Sequence, residues 1–314
     1  MDQGTVVMIR NSFVALVISY ILYKITATST LFIIPLLFIA PRFPSTKMAL
    51  IPIGIFSVWL IGSQLLSMGK VLYQNSLMGT FFIVLYLPIN LLIGSAIWIL
   101  LKEHKSLNRL FFASAFAAIS GLALVIWLSS DSASAVATEK VYREVVNATL
   151  PAMLGSQAPL GINSNSVFDA VVRVLKIAFL PLFVGQFGLS VLISEQMISR
   201  GDEKFQNRLA SFTLNENYVW PFLISWTVVL LNLFIKVEIL EVLAWNSALT
   251  LTLLYLVQGM AIISYLIRKK NPRINATRVY ILSALLMVMP GVNVVVLAAL
   301  PILGVSQTWI NLRK

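Results

Sequence analysis

Runs of apolar residues recur along almost the whole 314-residue chain, and short charged stretches separate them. Most runs approach the roughly 20 residues that a helix needs to cross about 30 Å of hydrocarbon. No water reaches peptide groups in a bilayer, so each crossing segment must close its hydrogen bonds within itself as a helix. The pattern therefore predicts an all-α, polytopic transmembrane helical bundle.

Composition supports this reading. Hydrophobic residues make up 59% of the chain and charged residues 11%, with a mean hydropathy of +0.89. Soluble domains carry about 25% charged residues, so this chain has too few to cover a water-facing surface. The net charge of +11 would suggest nucleic acid in a soluble protein. Here the basic residues sit between apolar runs, where they orient helices in a membrane, and no nucleic-acid partner is expected. The chain has no cysteine, which excludes disulfides, thiolate metal sites and palmitoyl anchors. Its one histidine, His104, cannot build a histidine-based metal cluster. The run Phe13 to Tyr23 after Arg10, followed by "TATST", looks like a signal peptide. A further apolar run, Leu31 to Ala40, follows at once, and the first helix is read as retained.

The segments fall at residues 11–23, 27–40, 48–69, 76–101, 107–128, 168–197, 217–236, 241–267, 279–289 and 292–308, ten in all, with eight or nine as alternatives. The first, second, ninth and tenth are short for a full crossing, so they either stand upright or re-enter. "MPGVN" (Met289 to Asn293) is a turn signal between the last two. With a cytoplasmic N-terminus, 16 of the 23 basic residues fall inside and 7 outside, so the positive-inside bias places both termini in the cytoplasm. Residues 129–167 are polar and read as an extracytoplasmic loop between an N-terminal half (1–128) and a C-terminal half (168–314). Within the loop, "ATEKVYREVVNATL" reads as a short amphipathic helix with Glu139–Arg143 and Lys140–Glu144 pairs at i,i+4.

Polar residues within the apolar runs are the candidates for function. In "NSALTLTLLYLVQGMAIISYLIRKK" (Asn246 to Lys270), 100° per residue places Asn246, Thr250, Gln258 and Ser264 on one stripe about 120° wide. Such side chains seek partners on neighbouring helices, so the stripe faces protein or a ligand cavity. Asp169, Arg173 and Lys176 are four and three residues apart and share one face. They either stand at the outer surface or form an anion-attracting mouth there. Pro88 with Asn90, Pro181 before "FVGQFG" with Gln186, and Asn232 are weaker signals of broken helices beside a binding site. No zinc-protease or phosphate-loop motif occurs. No catalytic residue, metal site or cofactor is expected, and the chain is read as a non-enzyme.

Two stretches carry a family likeness. "LLYLVQGMAII" (Leu253 to Ile263) and the ending "LGVSQTWINLR", with Gly304, Trp309 and Arg313, resemble the YybS-like bacterial membrane proteins. "YVWPFLISW" is similar to that family's Trp-Pro segment. Gln307 and Asn311 stand where family members often have acids. The resemblance implies a multi-pass protein of the bacterial inner membrane, distantly similar to the substrate-binding subunits of energy-coupling-factor transporters and to MreD-type envelope proteins. Two functions remain open. One is a non-enzymatic subunit that binds a small solute or lipid in its bundle, as a transporter subunit does. The other is a scaffold docking other membrane or envelope subunits. Trp309 and Arg313 are expected to anchor the tail at the interface.

The topology is testable because the chain lacks cysteine. Single cysteines at Lys140 and Lys270 are expected to react and to be protected, respectively, when whole cells meet an impermeant thiol reagent. The reverse pattern in folded protein refutes the orientation.

Overall fold

The computed structural model describes residues 3–68, 77–154 and 164–313, and within these every regular element is helical. The chain divides into two compact units, Met1–Ser194 and Glu195–Lys314. The first holds α1 (Gln3–Lys24), α2 (Ile33–Ile39), α3 (Thr46–Met68), α4 (Leu77–Leu100), α5 (Ser106–Leu128), α6 (Ala133–Leu154) and most of α7 (Ser164–Ile198). The second holds the end of α7 with α8 (Glu203–Ala210), α9 (Val219–Ile235), α10 (Glu238–Lys270), α11 (Ala276–Val288) and α12 (Asn293–Ser306).

Each of the ten apolar runs contains a helix among its described residues, although the second, at 27–40, holds only the seven-residue α2. Among the described residues, five helices are long and apolar enough to cross a membrane, in α3, α4, α5, α9 with its preceding turn, and α10. Their outward side chains are apolar: Leu66, Val58 and Phe234 are 80%, 74% and 85% exposed. A surface this apolar belongs in lipid rather than water. The amphipathic helix expected at residues 137–150 lies inside the longer α6. "GSQAPLGINSNS" lies largely outside the described residues, as do Lys70 and Lys314. "MPGVN" forms the link between α11 and α12, with Gly291 at φ 85°, a backbone conformation that glycine adopts without steric cost. At about 1.5 Å per residue, α11 and α12 span roughly 20 Å each, short of the hydrocarbon thickness.

Lipid tails are as apolar as leucine, so helices in a membrane associate through close packing and hydrogen bonds. In the first unit Phe32 stacks on Phe56 at 5.1 Å, and Tyr23 and Trp59 meet this pair edge-on or tilted, which ties α1 and α2 to α3. A second aromatic group joins α4 to α7 through Tyr86–Phe179 and Trp98–Phe187. Gly121 of α5 leaves room for the Phe179 ring and the Tyr86 hydroxyl.

The closest helix approach in the second unit is between α10 and α12. A Cβ on Gly259 would collide with the Leu300 carbonyl, and one on Gly304 with the Tyr255 carbonyl. These contacts run in opposite directions along the two helices, so α12 is antiparallel to α10. Nearer the N-terminal end of α10, Val229 of α9 packs with Ala244 and Ala248, flanked by Trp226 and Trp245. Alanine at position 259 or 304 must therefore force the backbones apart, at about 1–3 kcal/mol by the cost of overpacking. Gly54→Ala, where nothing lies within 4 Å of the added carbon, is the control. We expect Gly259→Ala and Gly304→Ala to lower the melting temperature in detergent and Gly54→Ala to leave it unchanged.

Candidate functional site: the polar face of α10

Asn246, Gln258 and Ser264 are buried, and Thr250 is half-buried with its hydroxyl enclosed. The stripe therefore faces protein, and its members behave differently. Gln258 is engaged at both ends of its amide. Its Oε1 accepts from the Leu214 backbone N–H at 2.6 Å, and its Nε2 donates to the Gly304 carbonyl at 2.7 Å. One side chain thus joins α10, α12 and the coil that precedes α9. The 2.7 Å bond reaches Gly304 because α12 lies so close there, which makes Gln258 and the two glycines one structural device.

Asn246 donates to the Val242 carbonyl one turn back, at 2.8 Å. Thr252, off the stripe, bonds back to Ala248 at 2.7 Å and accepts from the Trp226 indole at 3.2 Å. Thr250 and Ser264 differ. Their hydroxyl oxygens are enclosed and have no hydrogen-bond partner among the described residues. Serines and threonines inside helices ordinarily bond to the carbonyl four residues back, as Ser57, Ser95 and Ser114 do here at 2.7–2.8 Å. Thr250 and Ser264 lie fourteen residues apart, about 21 Å along the helix.

In the first unit Asn90 donates to the Tyr86 carbonyl at 2.7 Å and accepts from the Ser120 hydroxyl at 2.9 Å, linking α4 to α5. Gln186 of α7 has an enclosed Nε2 with no acceptor among the described residues. Asn232 is part of the turn after α9: its carbonyl accepts from Lys236 N–H and its Oδ1 from Val237 N–H. Lys236 is left-handed there, at φ 57°.

Asp169 accepts from Arg143 Nη2 at 2.7 Å, and the same guanidinium nitrogen contacts Glu139 at 2.8 Å. The two hydrogen-bonded carboxylates hold the Arg143 pKa above its ordinary value. Its guanidinium also lies 4.5 Å from the centre of the Phe168 ring, so α6 is clasped to the start of α7. Lys176 donates to the Ser129 hydroxyl at 2.9 Å, and Arg173 is exposed on the same helix. The Glu139–Arg143 pair forms, whereas no ion pair joins Lys140 to Glu144 among the described residues.

The tail turns after α12, leaving Trp309 66% and Ile310 59% exposed. Arg313 Nη2 donates to the Phe212 carbonyl at 2.7 Å. No group of His, Cys, Asp or Glu suited to a metal ion occurs among the described residues.

Sequence reading missed a buried polar knot. Gln206 of α8 donates to Thr277 Oγ1 at 3.0 Å and accepts from Thr277 N–H at 3.1 Å, while Thr277 Oγ1 donates to Gln196 at 2.5 Å. The one available signal was the strong amphipathicity of "EKFQNRLA", with Phe205 and Gln206 turned inward.

Gln258→Leu keeps the volume but leaves the Leu214 N–H and the Gly304 carbonyl without partners. Each unsatisfied buried group costs about 1–3 kcal/mol, so we expect a marked fall in melting temperature and abundance. Gln258→Glu retains the acceptor for Leu214 and loses the donor to Gly304. An unchanged melting curve for Gln258→Leu contradicts the assigned role.

No curated protein and no solved structure matches the chain significantly. A family model described as "Predicted membrane protein (DUF2232)" matches residues 13–305. That span includes the helices of both units and the Gln258–Gly259–Gly304 crossing, and the chain belongs to this family of membrane proteins.

Proposed function

We propose that this chain is a non-enzymatic subunit of the bacterial inner membrane that binds a small solute or lipid within its helical bundle, in the manner of a transporter subunit. The observation that supports this is the pair of enclosed hydroxyls on α10, Thr250 and Ser264, which among the described residues bond neither to their own helix nor to a neighbour. A polar group enclosed without a partner is costly, and a bound polar molecule would relieve that cost. Gln258 is a weaker ligand candidate, since both ends of its amide already bond within the protein.

A scaffold function is the second reading. It draws on α6, which Arg143 clasps to α7 while Val136 and Val145 remain exposed for a partner.

A thermal-shift screen of the purified protein against small polar solutes and membrane lipids tests the first reading. A ligand at about 100 times its dissociation constant adds about 2.7 kcal/mol. The expected result is a stabilising compound whose effect is lost in Thr250→Val or Ser264→Ala. Hits indifferent to both substitutions contradict a site on α10, and an absence of hits favours the scaffold.

A further inference from the structure

A second site lies where α8 and the coil after it meet the ends of other elements. Three long side chains converge on this short stretch. Arg268 of α10 donates to Asn207 Oδ1 at 2.9 Å, Tyr280 of α11 to the Leu209 carbonyl at 3.1 Å, and Arg313 of the tail to the Phe212 carbonyl at 2.7 Å. Both arginines are thus held by neutral oxygens. Neither pairs with a carboxylate among the described residues. Arg268 Nη1 and Arg313 Nε are enclosed and have no acceptor among the described residues.

The wider surroundings add positive charge. Residues 199–218, 266–278 and 306–313 carry nine Lys or Arg and three Asp or Glu. One of those acids, Asp202, accepts from the Lys204 backbone N–H as the N-cap of α8. A guanidinium carries five N–H donors in a planar fork suited to phosphate. Two such forks, each only partly used, leave charge and donors that the protein itself does not match.

The position indicates what would match them. The coil bearing the Phe212 carbonyl leads directly into the apolar candidate span Glu216–Ile235, so Arg313 stands where a membrane helix begins. Beside it in the chain, Trp309 and Ile310 are exposed, as is Trp220 on the first turn of α9. Exposed indoles belong at the boundary between headgroups and acyl chains. A free anion uses only the arginines, whereas a phospholipid uses the apolar side chains as well.

We propose that Arg268 and Arg313 form a binding site for the phosphate headgroup of an anionic phospholipid, whose chains lie against Trp309 and Ile310. This site is independent of the α10 hydroxyls, and the two proposals stand or fall separately.

The test uses the full-length protein in a non-ionic detergent, titrated with phosphatidylglycerol, with phosphatidylcholine of the same acyl chains, or with inorganic phosphate. Phosphatidylglycerol is expected to raise the melting temperature by several degrees, with little effect from the other two. Arg268→Gln/Arg313→Gln is expected to lose most of that shift, and Lys236→Gln, at the turn after α9, to keep it. Equal shifts from phosphatidylglycerol and phosphatidylcholine overturn the proposal, as does a full shift in the double variant. A shift from phosphate equal to that from phosphatidylglycerol overturns the lipid occupant in favour of a free anion. Should the double variant fail to fold, the salt dependence of the wild-type shift decides. Electrostatic headgroup binding weakens from 50 to about 300 mM salt, and a shift indifferent to salt overturns the site.

Discussion

The second unit depends on one side chain. Gln258 lies in the middle of an apolar helix and uses both ends of its amide, accepting from Leu214 and donating to Gly304. The bond to the Gly304 carbonyl depends on the glycines at the crossing. Gly259 and Gly304 bring α12 so close to α10 that a Cβ on either would strike backbone carbonyl groups of the other helix. In lipid the hydrophobic effect does little to drive helices together, so close packing and this pair of buried bonds must hold α12 in place. Both α11 and α12 are too short to be fixed by spanning the hydrocarbon alone; the crossing with α10 positions α12, and the Thr277 and Tyr280 bonds hold α11.

The same logic sorts the remaining polar residues in the membrane helices. Asn90 bridges α4 and α5, Asn232 closes the turn after α9, and Thr252 receives the Trp226 indole. These are devices of assembly. The Thr250 and Ser264 hydroxyls and the Gln186 Nε2 are enclosed and have no partner among the described residues. Burial alone does not distinguish the two groups. The distinction is whether a donor or acceptor has been used, and residues whose chemistry is spent on packing make poor candidates for recognition.

Much of the fold was legible in the sequence because lipid imposes local rules. The apolar runs gave the helices, Pro and Gly in "MPGVN" gave the turn between α11 and α12, and 100° periodicity placed Asn246, Gln258 and Ser264, all buried, on one stripe of α10. The partners were not legible. Periodicity reports which way a residue faces along its own helix, whereas Leu214 and Gly304 lie 44 and 46 positions from Gln258, and Phe212 lies 101 from Arg313. Arg143 shows the same limit. Its i,i+4 partner Glu139 is local and was expected, but Asp169, 26 residues away, is its second partner. The amphipathic α8 was overlooked for a related reason, since its charges look like a solvated loop until Gln206 is seen to bond with Thr277.

Hydrogen exchange at the Leu214 amide tests the central claim most directly. Leu214 lies in coil, where no helix protects its N–H, and its bond is to the Gln258 side chain. If Gln258 locks this unit, the Leu214 amide exchanges as slowly as amides within α10 and much more slowly than those of Thr213 and Asn215. In Gln258→Leu that protection disappears while the α10 amides near Asn246 keep theirs. A Leu214 amide that exchanges in wild-type protein as fast as its neighbours contradicts the account.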